Sequence, residues 1–134
     1  MKKLNKKGGF TLVEMLIVLA IIAILIAVSI PLINSSLEKA REATDAANVR
    51  AAKAEGAIVF LAGGTIKGNT SATEPGTSFT CWYNAADGEL TTTKDECGQG
   101  TSAGTDPDRA GQGIKVTADA AAGTVSAEWA ASLS

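Results

Sequence analysis

Few side chains in this sequence have the chemistry to act. There is no histidine, which removes histidine-dependent nucleophile triads and histidine-bearing zinc sites. Carboxylates are common, but no pattern places a pair of them in a pocket, so no catalytic residue is expected. Asp106, Asp108 and Asp119 offer the oxygen ligands that calcium takes. Their spacing matches no complete calcium loop, and a solvated acidic loop accounts for them, so no metal and no cofactor is expected. Trp82, Tyr83 and Trp129 offer an aromatic binding surface, core packing or subunit contact, and packing or subunit contact is the simpler reading. Glu14 stands apart. It is a lone carboxylate in an otherwise apolar segment, and ionisable groups in membrane spans are costly and usually functional.

The element that must position Glu14 is readable from its neighbours. Lys2, Lys3, Lys6 and Lys7 make a basic leader without an acid, and Gly8-Gly9-Phe10 follows. Residues 10–33 then hold sixteen Leu, Ile, Val and Phe residues in 24 positions, and 15–28 contain no polar residue. As a helix this stretch is roughly 36 Å long, enough to cross a bilayer core with some tilt. Its apolar residues supply about −5 to −10 kcal/mol of insertion free energy. A carboxylate near the span's end costs less than the ~2.5–3.5 kcal/mol of a mid-span charge. Insertion therefore wins despite Glu14, and the lysines keep the amino end cytoplasmic.

Three simpler accounts of this start compete. A secretory signal peptide fits the lysines, the apolar centre and the small-x-small run Ala27-Val28-Ser29. Against it, Glu14 breaks the front of the apolar core and the helical pattern continues past Ser29. A plain membrane anchor leaves Glu14 and the Gly-Phe junction unexplained. A double-glycine export leader does not account for a membrane-length segment directly after Gly9.

Gly9-Phe10-Thr11-Leu12-Val13-Glu14-Met15-Leu16 closely resembles the prepilin motif of type IV pilins and pseudopilins. The resemblance extends from Lys6 to about Leu61, is most specific over residues 9–31, and includes Pro31 at the proline these helices carry. It implies cutting between Gly9 and Phe10 by a membrane-embedded prepilin peptidase, followed by N-methylation of Phe10. Cutting after Gly8 is the alternative, but it sets Glu14 one position too far along. The resemblance further implies that the new Phe10 amine pairs with Glu14 of a neighbouring copy in a staggered helical bundle. Phe10, Glu14 and Pro31 are thus the expected assembly residues. The partners implied are further copies of the chain in a helical filament, the peptidase and a pilus assembly machinery. The expected location is the cytoplasmic membrane before assembly and a surface filament after it.

Without the leader's lysines the count is eight Lys and Arg against fourteen Asp and Glu, a formal −6 before termini. Phosphate binding needs clustered Lys and Arg, so direct nucleic-acid binding is not expected. Cys81 and Cys97 lie outside the membrane segment. In an exported domain they are expected to form a disulfide, and closing such a loop is worth about 3 kcal/mol in the chain-entropy model. A two-cysteine metal site is a weak alternative.

The helical pattern continues beyond Pro31. Ile33, Leu37, Ala40, Thr44, Ala47, Ala51, Ala54, Ile58 and Leu61 recur in steps of four and three, which predicts one helix face. We expect that face to pack on the domain core and to make fibre contacts along its edges. Gly63-Gly64 is a natural stop, so the helix is predicted over about 11–62. Residues 65–78, rich in Gly, Thr, Ser and Asn, read as a loop. Two hairpins follow: Phe79, Cys81 and Tyr83 alternate before Asp87-Gly88 and Leu90–Thr93, then Ile114, Val116 and Ala118 alternate before Val125, Ala127 and Trp129.

The expected fold is α+β: a long amino-terminal helix packed on a small antiparallel sheet, pilin-like. The expected divisions are 1–9 leader, 10–33 membrane and filament-core helix, 34–62 amphipathic half, and 63–134 β-rich head. The sequence reads as a non-enzymatic type IV pilus subunit. The alternative is a pseudopilin of a type II secretion or competence DNA-uptake system.

Overall fold

The computed structural model of the chain describes residues 8–96, 100, 109 and 111–132. The protein is α+β, with one long helix, α1 (Leu12–Ala62), followed by four strands: β1 (Phe79–Asn84), β2 (Glu89–Thr91), β3 (Gly113–Asp119) and β4 (Thr124–Ala130). The chain divides into two compact units, Met1–Leu37 and Glu38–Ser134.

In the first unit α1 continues through Pro31. Proline has no amide hydrogen and ordinarily costs a helix one bond to the carbonyl four residues back, here that of Ala27. Serine hydroxyls near it bond back to helix carbonyls: Ser29 donates to Leu25 at 2.7 Å, and Ser35 and Ser36 each donate to Leu32 at 3.0 Å. Every described residue from 8 to 37 is exposed.

In the second unit the strands form a single antiparallel sheet in the order β2-β1-β3-β4. The two expected hairpins are both present. The first turns with Asn84 Nδ2 donating to Asp87 Oδ2 at 2.7 Å and the Gly88 amide to the Asn84 carbonyl at 2.9 Å. The second turns on Asp119, whose Oδ1 accepts the amides of Ala121 at 2.8 Å and Ala122 at 3.3 Å. This carboxylate therefore has a structural task in the turn. Asp106 and Asp108, the other two acids weighed as calcium ligands, lie outside the described residues.

One sheet face packs on the second half of α1. Ala52 and Val59 of the helix meet Ile66, Cys81, Tyr83, Leu90, Ile114 and Val116 in a buried cluster. Gly56 permits the closest approach, because a Cβ there would lie 2.5 Å from Val116 Cγ1 and 2.9 Å from Val125 Cγ1. After Ala62 the helix ends on Gly63, which has φ +75° and donates its amide to the Val59 carbonyl at 3.0 Å. A residue without Cβ adopts that left-handed conformation freely, which makes glycine the common helix terminator.

The expected helix face is corrected by the structure. Ile33, Leu37, Ala40, Thr44, Ala47, Ala51, Ala54, Ile58 and Leu61 are all exposed. The face that packs on the sheet instead carries buried Ala52, Gly56 and Val59, with Val49 half-buried, and Asp45 and Phe60 of this half of the helix are buried too. It lies about one residue, or ~100°, around the helix from the expected one. Alanines occupy several sides of this segment, so spacing alone allowed either face. Glycine and a buried aspartate then hid the true one. Asp45 is 2 % exposed and is partnered.

The other sheet face has a smaller covered patch. Strand alternation puts Trp82 opposite Cys81 and Tyr83, yet Trp82 is only 3 % exposed. Lys94 lies over its ring, 5.6 Å from the centroid, and donates from Nζ to the Ala131 carbonyl at 2.7 Å. Beside it, Lys115 of β3 pairs with Glu128 of β4 at 2.9 Å. Trp82 and Tyr83 are buried, and Trp129 is half-buried against the core with Arg109 over its ring. These aromatic residues pack; they form no open binding face.

Candidate functional site

The candidate site is the start of α1. Thr11 occupies the N-cap position immediately before the helix, and Glu14 is the third residue within it. The Thr11 carbonyl accepts the first helical bond, from the Met15 amide at 3.2 Å. Thr11 Oγ1 accepts the Glu14 amide at 3.2 Å, and Glu14 Oε2 accepts the Thr11 amide at 2.7 Å and the Thr11 hydroxyl at 3.0 Å. This reciprocal arrangement is a capping box. It arises because a threonine stands three residues before a glutamate at the point where the apolar helix begins. It satisfies backbone donors that a helix start otherwise leaves open, and it places negative charge at the positive end of the helix dipole.

Gly8 and Gly9 precede this cap. A Cβ at either position would meet nothing within 4 Å, and neither has the positive φ found at other glycines of the chain. Neither the space left by the described residues nor the backbone conformation calls for glycine there. Phe10 is 81 % exposed. The aromatic ring, the two small residues before it and the capped carboxylate thus form an exposed segment among the described residues.

Beyond the cap, α1 presents apolar side chains on all sides. Leu16, Leu19, Ile24, Leu25, Val28 and Leu32 are each more than half exposed. The helix is long and apolar enough to cross a membrane, and its most apolar stretch is exposed among the described residues.

Residues 4–30 match the model of the prokaryotic N-terminal methylation motif. The chain carries the signal sequence of type IV pilins and pseudopilins. The matched residues include Gly9, Phe10, Thr11 and Glu14 and end one position before Pro31. The motif supports a type IV pilin or a pseudopilin, with methylation and a transmembrane helix. It implies processing by a prepilin peptidase and handling by an assembly machinery, and with the apolar helix it fits anchoring in a membrane. No curated protein and no solved structure matches the chain.

The sequence-predicted residues fall in two separate places. Gly9, Phe10 and Glu14 cluster at the start of α1, with Pro31 farther along the same helix. Cys81 lies in β1, fully buried, with a free thiol. Its expected partner Cys97 lies outside the described residues. Thr11 is the residue that sequence reading passed over, although the Thr-x-x-Glu spacing before an apolar run was visible. Among the described residues there is no group of three or more His, Cys, Asp or Glu side chains suited to a metal.

Proposed function

We propose that this chain is a structural, non-enzymatic subunit of a type IV pilus. Prepilin peptidase cuts after Gly9, Phe10 is N-methylated, and α1 holds the subunit in the cytoplasmic membrane. An assembly machinery then moves it into a helical filament whose core is built from these helices. The observation that carries this reading is the helix surface itself. An apolar stretch of this length, exposed on every side, requires lipid or neighbouring helices around it. A filament core lets it exchange one for the other without meeting water.

Within the filament, the Phe10 amine of one copy pairs with Glu14 of the next. The pair offsets two charges in a low-dielectric bundle and fixes the axial offset between subunits. The open surroundings of Gly8 and Gly9 among the described residues are consistent with a processing role, since an enzyme that must fit the backbone closely favours glycine there.

The test is to shear fibres from the cell surface and determine the amino terminus of the chain within them. The expected result is Phe10 as first residue with one added methyl. A mature chain starting at Ile30 would show a secretory signal peptide and overturn the pilin reading. A correctly processed chain that never leaves the envelope, with protein secretion or DNA uptake lost on its deletion, would show a pseudopilin.

A further inference from the structure

We propose that Thr11 is a positioning residue for Glu14, pinning one carboxylate oxygen so that the other is presented to the amine of a neighbouring copy. The inference rests on the Phe10–Glu14 pairing given above. Both Thr11 donors, the amide at 2.7 Å and the hydroxyl at 3.0 Å, end on the same oxygen, Oε2. The hydroxyl's single hydrogen is thereby committed, and its oxygen accepts the Glu14 amide at 3.2 Å. A carboxylate has about four acceptor positions on its two oxygens. Oε1 takes no hydrogen bond from the described residues. Glu14 can therefore receive an ammonium group on Oε1 without giving up its cap.

Processing leaves this arrangement in place. The Thr11 nitrogen is an amide joined to Phe10 whether or not the chain is cut before Phe10, so the donor survives cleavage. Fixing a long, flexible glutamate costs rotamer entropy, and a side chain already ordered in the free subunit avoids that cost at the moment of association. Thr11 supplies this order from a position that itself need not touch the neighbour.

The test uses the full chain in cells that process and assemble it. Thr11→Val keeps the shape and removes the hydroxyl; Thr11→Ser restores it. A hydrogen bond to a charged group corresponds to about tenfold in an equilibrium constant. Sheared fibres should therefore fall about tenfold with Thr11→Val and recover with Thr11→Ser, while the membrane pool of subunit persists. The second readout is the Glu14 side-chain rotamer, from NMR couplings of the chain in detergent micelles, measurable before or after processing. One rotamer is expected in the natural and Thr11→Ser chains, and averaging in Thr11→Val. Normal fibre yield or a single retained Glu14 rotamer in Thr11→Val would overturn the proposal. Normal fibres from Glu14→Gln would instead defeat the pairing reading, while the rotamer measurement still judges Thr11 by itself.

Discussion

Gly56 of α1 stands against Val116 of β3 so closely that a Cβ on the glycine would lie 2.5 Å from Val116 Cγ1. Glycine inside a helix is less stable than alanine by roughly 0.5–1 kcal/mol. In an open helix Gly56→Ala would therefore stabilise. Here the added methyl must displace two valines of the core, and overpacking typically costs ~1–3 kcal/mol. The steric effect wins, and Gly56→Ala should destabilise the head by about 1–2 kcal/mol net. Denaturant unfolding of the chain in detergent measures this; a gain in stability would show that the helix and sheet do not approach this closely.

Adjacent residues on the same helix should respond in opposite ways. Val59 is 5 % exposed and belongs to the core cluster, whereas Ile58 is 56 % exposed. Val59→Ala should cost about 1–3 kcal/mol through lost burial and a cavity. Ile58→Ala should stay within about 0.5 kcal/mol, as surface changes generally do. The same unfolding assay decides, and equal losses at the two positions would place the packed face elsewhere.

Burial pushes the Cys81 thiol from an ordinary 9.0 up to about 12. A raised value means that the folded head favours the protonated form. In the reduced protein this contribution to stability is complete below pH 9.0 and is lost as pH rises toward about 12. Tyr83 is also raised, by burial and then by the charge of Glu55, and acts in the same direction. Reduced chain should thus lose stability across that alkaline range, and Cys81 should resist alkylation until urea is added. Rapid labelling of the native reduced chain would contradict its burial. In exported protein, the expected link to Cys97 would leave no label at either cysteine before reduction, which a mass measurement with and without reductant tests.

Glu14→Gln separates a polymer subunit from an anchor. It keeps the side chain's size and lowers the cost of insertion, so the membrane pool should be unchanged or larger. It also leaves the neighbour's Phe10 amine without a counter-charge. Losing one member of a buried pair typically costs ~3–5 kcal/mol, repeated at every subunit contact. Surface fibres should fall sharply while processed subunit remains in the membrane. Fibres of normal number built entirely from the substituted chain would refute the pairing.

The amino-terminal site was legible because its signals are local. Lysines, paired glycines, a lone glutamate and an apolar run need no distant contact to be interpreted. The hairpins were legible for a similar reason: alternation in β1, β3 and β4 has period two, and Asp87-Gly88 and the Asp119 turn punctuate it. The carboxyl end of α1 followed from local chemistry too, with Gly63 as stop, whereas the Thr11 cap at the amino end was visible in the Thr-x-x-Glu spacing but passed over.

The tertiary structure decided which side of the second half of α1 faces the sheet. An alanine-rich helix is apolar in several directions, so its periodicity selects no single face. What selects one is fit. Gly56 admits Val116 and Val125, Ala52 and Val59 fill the space on either side, and partnered Asp45 is buried on a face that hydrophobicity would have rejected. The sheet likewise determined that Trp82 is covered by Lys94 from the side opposite the helix. Sequence pattern located the long helix and the two hairpins; close packing between elements far apart in the chain determined which faces meet, because shape complementarity exists only once both surfaces are present.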